Sequence, residues 1–305
     1  MPEPGHTSVP GSHCDEEEIM GAIEGPVAFV TGASRGIGKA VAIAFAEAGY
    51  DVAITARSQV EGEEREHSST LKETNTRPLP GSLSATAEAI TATGRSVLAV
   101  PSDLMDLASV GAATAVVLER WGRVDVLVNN GRYVGPGHMD LFLDTPVELI
   151  ERHLTANVIS PLHILQMVLP GMLERGSGTV ITMSSGAGTS DPPAAAGAGG
   201  WGMGYSVSKG ALHRVAGVLA VEHANSGIRF FNVNPGGVAT ERIKADMAGF
   251  GFSGADWAPP ALIGAVLTWL ATSEEALSLG RIDIQAQELS LERGLFPEWT
   301  GNAHA

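Results

Sequence analysis

A tyrosine and a lysine stand four positions apart in the segment Tyr205-Ser206-Val207-Ser208-Lys209. If this segment is helical, both side chains lie on one face and can reach the same ligand. The ammonium of Lys209 favours the phenolate form of Tyr205, so the phenol becomes a usable proton donor and acceptor near neutral pH. Because this spacing also occurs by chance on exposed helices, the pair indicates acid–base chemistry only if the rest of the chain supports it.

Three glycines lie where a predicted strand passes into a predicted helix. The apolar run 27–30 predicts a buried strand, and the Ala-rich stretch 39–48 predicts a helix. Gly32, Gly36 and Gly38 let the backbone approach a pyrophosphate, which the free N–H groups and dipole of the helix N-terminus attract. A glycine turn after the first strand of a βαβ unit predicts a dinucleotide-binding site.

The end of the next predicted strand, 51–55, indicates which dinucleotide is preferred. An acidic residue there would hydrogen-bond the adenosine 2′-hydroxyl and repel a 2′-phosphate, but this chain has Ala56 and Arg57. Arg57 and Arg35, in the glycine turn, offer two guanidinium groups to such a phosphate. The sequence therefore predicts NADP(H) in preference to NAD(H). The alternative is that either arginine forms a surface ion pair.

Strands and helices alternate along the rest of the chain. Further strands are predicted at 96–100, 124–128, 179–183, 228–233 and near 281–285, and further helices at about 83–93, 106–120, from 145, around 205 and at about 259–271. This alternation predicts one doubly wound α/β domain of the Rossmann type over 25–305, with about seven parallel strands and helices on both faces. The segment Thr145-Pro146-Val147-Glu148 predicts a capping box, with Thr145 as N-cap and Pro146 in the first helical position.

Three segments lack this pattern. Residues 1–24 are predicted to be a flexible acidic N-terminal tail, or else an arm that docks on a partner subunit. Residues 58–82 and 186–204 are predicted to be inserted loops. Because long loops are uncommon unless functional or disordered, 58–82 is either a lid over a bound ligand or an insertion without a role.

Composition restricts the class of partner. The 305 residues include 19 Lys and Arg against 34 Asp and Glu, a net charge of −15 that disfavours nucleic acid and anionic membranes. The single Cys14 excludes an intramolecular disulfide, and the nine histidines, including His138, His153 and His163, show no metal-ligand spacing, so no metal is predicted. Without a signal sequence or an uninterrupted apolar run of roughly 18 residues, a cytoplasmic protein is predicted.

Five motifs follow one another along the chain in this order: Thr31-Gly32-x3-Gly36-x-Gly38, Asn129-Asn130-Gly131, Ser184-Ser185, Tyr205-x3-Lys209 and Asn234-Pro235-Gly236. On these motifs the chain resembles the short-chain dehydrogenase/reductase family over roughly residues 25–285. The resemblance implies an oxidoreductase that interconverts a ketone or aldehyde and an alcohol, a small-molecule substrate, and a homotetramer or dimer packed through the helices that contain Thr145 and Tyr205.

The resemblance also implies roles for individual residues. Tyr205 is similar to the family's general acid/base, Lys209 to its partner that holds the nicotinamide ribose, and Ser185, rather than Ser184, to the residue that hydrogen-bonds the substrate oxygen. Asn157 matches the fourth catalytic position. Since Pro161 has no N–H for the Asn157 carbonyl, that carbonyl can hold a water for a proton relay from Lys209; the alternative is a proline kink without a chemical role.

The cofactor contacts that the resemblance implies lie on the turns after the strands and on the Tyr205 helix. Asp103 is similar to the family's adenine-contacting acid, and the turn after Asn234 to the one that fixes the nicotinamide carboxamide. The full set is Gly32, Ser34, Arg35, Gly36, Ile37, Gly38, Arg57, Asp103, Leu104, Asn130, Gly131, Tyr205, Lys209, Pro235, Gly236, Val238 and Thr240.

Three departures from the family pattern leave questions open. Arg132 stands where a glycine is expected, and it either binds an anionic substrate group or points to solvent. The Pro-, Ala- and Gly-rich stretch 186–202 places Ser185 and Tyr205 20 positions apart, more than is usual in the family. The C-terminus also lacks the family's usual ending. Phe252 and Trp257 are predicted to be pocket walls or packing anchors, and the glycines beside Met203 are predicted to give backbone flexibility.

Two other functions are compatible with the motifs: a 3-oxoacyl-thioester reductase of lipid metabolism, and a non-catalytic dinucleotide-binding sensor or scaffold.

Overall fold

One parallel sheet organises the chain. The computed structural model describes residues 23–252, 257–279 and 282–301, and in this part seven parallel strands have the order β3-β2-β1-β4-β5-β6-β7. The strands are β1 (Val27–Thr31), β2 (Asp51–Ala56), β3 (Val97–Pro101), β4 (Val126–Asn129), β5 (Gly178–Met183), β6 (Ile228–Asn234) and β7 (Asp283–Gln285). The strand order reverses between β1 and β4, and ligands of such sheets bind at the carboxyl ends of the strands beside this point.

Helices cover both faces of the sheet. They are α1 (Gly36–Glu47), α2 (Leu83–Thr91), α3 (Leu107–Trp121), α4 (Val147–Leu154), α5 (Ser160–Arg175), α6 (Met203–Glu222), α7 (Glu241–Asp246), α8 (Pro260–Thr272) and α9 (Ala286–Arg293). Side chains of β1 alternate between the two cores: Ala28 and Val30 face the layer that contains α1 and α8, and Val27 and Phe29 face the layer that contains α3 and α5. The predicted doubly wound α/β fold is confirmed.

The predicted elements are present with shifts of a few residues at their ends, and two helices were not predicted. Helix α7 begins after Thr240, whose hydroxyl caps it by accepting the N–H of Ile243, and α9 follows β7 directly. Both are short, so neither gives a clear periodic signal in the sequence. Most of the predicted tail, residues 1–22, and Arg281 at the predicted start of β7 lie outside the described residues.

Helices α4 and α5 form one continuous helix that contains a π-helical segment, Thr155–Ile159. A proline inside a helix removes one N–H donor, and local widening to π geometry is a common response. The prediction of a capping box is wrong: the helix begins at Val147, Pro146 is the N-cap, and the Thr145 hydroxyl donates to the carbonyl of Leu141 at 2.8 Å. The Thr145 side chain is therefore bonded to the preceding 3-10 turn, Phe142–Asp144, and does not cap the helix.

Within the described residues, the long helix Val147–Arg175 meets the length and composition of a membrane span, although it contains no uninterrupted apolar run of 18 residues. By length and composition alone it could cross a membrane, with a mean hydropathy of 1.3 in a window that is 56% buried within the fold. Counting uninterrupted apolar runs missed it because a few charged residues interrupt the helix. Buried core helices of α/β proteins have the same character.

Residues 58–82, here called the 58–82 strap, have no helix or strand but are anchored through two contacts near their middle. From β2 they extend to the loop 137–140 and to α7. Asp140 accepts hydrogen bonds from Thr70 and from the N–H of Leu71, and Asp246 accepts from His67 Nδ1 at 2.6 Å and from Asn75. The strap thus joins elements on two sides of the strand ends. The second predicted insertion ends earlier than expected, at residue 202, because α6 begins at Met203.

Candidate active site

The glycine turn packs too closely for side chains. A Cβ on Gly32 would lie 2.7 Å from the Gly131 Cα, one on Gly131 would lie 2.8 Å from Leu104 Cδ1, and one on Gly38 would overlap the carbonyl of Gly32. Gly32 and Gly36 also have positive φ angles of 68° and 56°, which glycine adopts without strain. The N-terminus of α1 therefore opens onto bare backbone, which suits a pyrophosphate.

Asn130 connects the ends of β1 and β4 beneath this turn. Its Nδ2 donates to the carbonyls of Thr31 and Gly32, at 2.8 and 3.2 Å, and the backbone N–H groups of Asn130 and Gly131 both donate to the Thr31 hydroxyl. Asn130, which was predicted to contact the cofactor, thus holds the backbone of the glycine turn in place. Next to it, Asp103 accepts the N–H of Met105 at 2.9 Å at the end of β3.

The structure separates the two arginines that were predicted to select NADP(H). The guanidinium of Arg35 donates to the carbonyls of Leu79, Pro80 and Gly81, so it holds the end of the strap, and burial lowers its pKa. Arg57 has only its backbone carbonyl engaged among these contacts, by Arg65.

The strap also contributes charged side chains to the lining of the cleft that contains Arg57. Glu63, Arg65, Glu66 and Arg77 line the cleft beside Arg57. Glu63 holds Arg65 at 2.7 Å, and hydrogen bonds from the N–H of Val60, from Arg65 and from the N–H of Gln59 lower its pKa to about 2. Two carboxylates, Glu63 and Glu66, therefore line this cleft although none stands at the end of β2.

A cavity of about 280 Å³ connects the glycine turn to Tyr205 and Lys209. The predicted residues that line it are Gly32, Ser34, Arg35, Gly36, Ile37, Gly38, Arg57, Asp103, Leu104, Asn130, Gly131, Tyr205, Lys209, Pro235 and Thr240. Asn157, Ser185, Gly236 and Val238 are not among the residues that line it. Residues from most of the predicted turns are therefore brought together in one cleft.

Lys209 is almost fully buried on α6, with 3% of its surface exposed. Its Nζ lies 5.9 Å from the centre of the Tyr205 ring and donates to the carbonyl of Met183 at 2.7 Å. Burial, with a contribution from the charge of Arg132, lowers the pKa of Lys209 to about 7. The ammonium is therefore held at one place and releases its proton more easily than an exposed lysine.

The remaining predicted catalytic residues support this pair from two sides. Asn157 is buried in the π segment, where its Oδ1 accepts the N–H of Tyr133 at 2.6 Å and its Nδ2 donates to Ser208 at 2.9 Å. Ser185 accepts the N–H of Ala187 at 3.2 Å, which leaves its own proton for another acceptor. Ser184 lies on the cavity wall and contacts His213 Nδ1 at 3.1 Å.

Two arginines and two histidines surround Tyr205. The Arg132 guanidinium carbon lies 5.8 Å from the centre of the Tyr205 ring, Arg242 also lines the cavity, and the His138 ring packs edge-on at 4.4 Å. His153 lies behind His138. Burial, followed by the charges of Arg132 and Arg242, lowers the pKa of His138 well below its usual value and that of His153 to about 3, so both imidazoles are neutral. Of the alternatives for Arg132, the structure has it facing the pocket.

Comparison with known proteins agrees with this geometry. A family model described as short chain dehydrogenase matches residues 26–80 and 77–248, with its break inside the strap. Oxidoreductase UcpA of Salmonella typhimurium is 33% identical over 228 residues, 74% of this chain and 74% of that protein. An uncharacterized NAD-dependent oxidoreductase of Mycobacterium tuberculosis is 31% identical over 229 residues, 74% of this chain and 76% of that protein. The structure of a metagenomic short-chain oxidoreductase in complex with NADP has a TM-score of 0.63 and 28% identity, covering 86% of this chain and 97% of that chain.

The chain belongs to the short-chain dehydrogenase/reductase family. As a member it is an NAD(P)-dependent oxidoreductase, and its glycine turn and cleft fit a nicotinamide dinucleotide.

The unusual C-terminus of this short-chain dehydrogenase/reductase supports the predicted carboxamide turn. Gln287, in α9, donates from Nε2 to the carbonyls of Pro235 and Gly237, at 2.9 and 2.8 Å. A Cβ on Gly236, whose φ is 68°, would lie 2.5 Å from the same Nε2. No motif pointed to Gln287, because its role depends on α9 returning to the end of β6.

The lengthened loop 186–202 ends in an aromatic cluster beside Tyr205. Trp201 lies 5.6 Å from Tyr205, ring centre to ring centre, and stacks on Phe252 at 4.5 Å, which in turn contacts Trp257. Phe252 and Trp257 lie behind the cavity lining, so they act as packing anchors rather than walls.

The glycines at the start of α6 serve close packing rather than the predicted flexibility. A Cβ on Gly204 would lie 2.6 Å from His153 Cδ2, and one on Gly202 would lie 2.7 Å from the carbonyl oxygen of Gly137. The position of Tyr205 therefore depends on these two contacts.

Proposed function

We propose that this short-chain dehydrogenase/reductase interconverts a ketone or aldehyde and an alcohol with NADP(H), using Tyr205 as the general acid/base. The observation on which this proposal rests is the buried ammonium of Lys209 beside the Tyr205 ring, on the same cavity as the dinucleotide turn. When bound, the nicotinamide supplies the hydride to the substrate carbon, or accepts it. Tyr205 gives the proton to the substrate oxygen in the reductive direction and takes it in the oxidative direction.

Lys209 stabilises the phenolate that Tyr205 leaves after giving up its proton. Because its pKa is lowered to about 7, Lys209 can hold a proton and pass it on near neutral pH. The Asn157 side chain already bonds Tyr133 and Ser208, so it positions the helices, and Pro161, four residues later, has no N–H to donate to the Asn157 carbonyl. The proposed relay runs from Lys209 through a water on that carbonyl. Ser185 donates its proton to the substrate oxygen and stabilises the developing negative charge.

The test is Tyr205→Phe, with Tyr50→Phe as the matched control because Tyr50 packs against Phe45 in the core. Turnover of a ketone panel, followed by nicotinamide absorbance, should fall by roughly 10²–10⁴-fold in the first variant because proton transfer is lost. Cofactor affinity, measured by fluorescence titration, should change little in either variant. Unchanged kcat in Tyr205→Phe would show that the proposal is wrong.

We infer the preference for NADP(H) from Arg57, whose guanidinium is the one most available at the end of β2. Arg35 supports it indirectly, because it fixes residues 79–81 of the strap beside this wall. The NADP complex of the metagenomic relative is consistent with this preference, whereas the mycobacterial relative is named NAD-dependent.

Arg57→Asp tests this preference. The variant should reverse the ratio of the Kd values for NADPH and NADH, since a carboxylate would repel the 2′-phosphate and bind the 2′-hydroxyl. Arg214→Asp, the same change of charge at an exposed position on α6, is the control. A wild-type protein that binds NADH more tightly than NADPH would contradict the preference and leave the catalytic role of Tyr205 unaffected.

A further inference from the structure

Two guanidinium groups, those of Arg132 and Arg242, lie at the Tyr205 end of the cavity. Neither forms an ion pair with a carboxylate of the described residues. Arg242 is 8% exposed, and its Nε has no hydrogen-bond partner among the described residues. Its Nη2 donates to the Ser69 hydroxyl at 2.8 Å and to the carbonyl of His67 at 3.2 Å. Arg132 donates to the carbonyl of Tyr133 at 3.0 Å. These acceptors are neutral, so none of these hydrogen bonds pairs either guanidinium with an anion.

The carboxylate one helical turn after Arg242 is already engaged. Asp246 accepts from His67 and Asn75 and lies 3.8 Å from Arg77. Over 23–252, 257–279 and 282–301, neither Arg132 nor Arg242 forms an ion pair with a carboxylate. Burying an unpaired guanidinium is costly, and a pair of them costs more because they repel each other.

The effect of this cost is visible in the protonation of the site. Burial and the charge of Arg132 lower the pKa of Arg242 to about 9, and burial lowers that of Arg132. The neighbouring His138 and His153 are neutral, so the two arginines supply the positive charge at this end of the cavity beside Lys209. An anion at this place would relieve the repulsion and form charge-assisted hydrogen bonds.

We propose that the substrate is a short oxo acid or hydroxy acid whose carboxylate is bound by Arg132 and Arg242 while its carbonyl or hydroxyl lies on Tyr205. This inference rests on the proposed function and names its substrate class. A planar carboxylate matches the fork of a guanidinium, and the distance between Arg132 and the Tyr205 ring places the carboxylate a few bonds from the reacting carbon. The carboxylate undergoes no bond change, and hydride and proton still go to the carbonyl carbon and oxygen.

The kinetic test compares benzoylformate with its methyl ester, which has the same reacting carbonyl and no charge. Wild type should favour the acid by at least about tenfold in kcat/KM, and Arg132→Met and Arg242→Met should each reduce that ratio by about tenfold or more. Because both substrates are measured on the same variant, a loss of activity that affects both equally does not change the acid-to-ester ratio. This includes any loss that follows from breaking the Arg242 contacts to the strap. If Arg242→Met does not fold, Arg132→Met gives the answer. Arg214→Met, an exposed substitution on α6, is the control and should keep the wild-type ratio.

A binding measurement separates this inference from the proposed reaction. Calorimetry of the enzyme–NADP complex should detect benzoate and show its affinity lowered in both variants, even if neither substrate is turned over. Inorganic phosphate binding in place of benzoate would assign the site to a phosphate. An ester preference in wild type, benzoate affinity unchanged in both variants, or weakened NADP affinity in place of benzoate affinity would each overturn the inference.

Discussion

The Nζ atom of Lys209 donates a hydrogen bond to the carbonyl oxygen of Met183 over 2.7 Å. This bond joins the middle of α6 to the end of β5 and holds the ammonium beside the Tyr205 ring. The position of the Lys209 ammonium is therefore tied to the sheet, whose strand β5 leads directly into Ser184 on the cavity wall.

Lys209→Met should separate catalysis from stability. We expect kcat to fall by roughly 10²–10⁴-fold, as after loss of general acid–base assistance. The free energy of unfolding at pH 7 should change by only about 1 kcal/mol, because the lost hydrogen bond is offset by relief from burying an ammonium. Steady-state kinetics and urea denaturation measure the two effects. Lys72→Met, an exposed substitution in the strap, should change neither, and a Lys209→Met variant with normal kcat would refute the assignment.

Acid should destabilise the protein through its buried histidines. The folded-state pKa of His153 is lowered from 6.5 to about 3, first by burial and then by Arg132 and Arg242. Between these values the unfolded chain binds a proton that the folded chain does not, so this contribution to stability is complete above pH 6.5 and is lost as pH falls towards 3.

His153→Phe tests that contribution. The slope of unfolding free energy against pH in this window should decrease by up to about 1.4 kcal/mol per pH unit, with His138 still contributing to the remainder. Thermal or urea denaturation from pH 7 downwards gives both slopes. Equal slopes in wild type and variant would show that His153 does not resist protonation.

Gln287→Leu should weaken cofactor binding without touching the glycine turn. The variant leaves the carbonyls of Pro235 and Gly237 without their donor, so the turn predicted to hold the nicotinamide loses its brace. We expect the Kd for NADPH to rise by about tenfold, the equivalent of roughly 1.4 kcal/mol. Glu288→Gln, on the exposed side of the same helix, is the matched control. Identical affinities in Gln287→Leu and the control would remove the C-terminus from the cofactor site.

Asp140→Ala should release the 58–82 strap. Asp140 accepts from the Thr70 hydroxyl and from the N–H groups of Leu71 and Gly137, so its loss should cost about 2–3 kcal/mol of local stability. Limited trypsin digestion, analysed by mass spectrometry, should cut after Lys72 at least about tenfold faster. Asp144→Ala, an exposed neighbour, should behave as wild type. Equal rates in both variants would mean that Asp140 does not anchor the strap.

Local sequence signals were sufficient for the sheet and for much of the cleft. Strands such as β1 and β5 are apolar, and the motif residues lie at strand ends, so parallel order brings them to one edge of the sheet. Tyr205 and Lys209 share a helix, where spacing alone fixes their relation.

Relations between distant segments could not be predicted in this way. Arg35 was assigned to a phosphate, but it binds carbonyls of the strap, and Glu63 reaches the same wall from a loop without periodicity. Gln287 and Arg242 belong to short helices whose positions depend on tertiary packing. Their roles follow from which backbone groups lie nearby, which a single sequence does not encode locally.

The strap also has a consequence for the order of folding. Two contacts hold its middle: His67 and Asp246 are separated by 179 residues, and Leu71 and Asp140 by 69. Closing such long loops costs entropy that only a formed partner surface can offset. We therefore expect the strap to dock after α7 and the 137–140 loop are in place. The wall beside Arg57 would then be the last part of the cleft to form and the first to open.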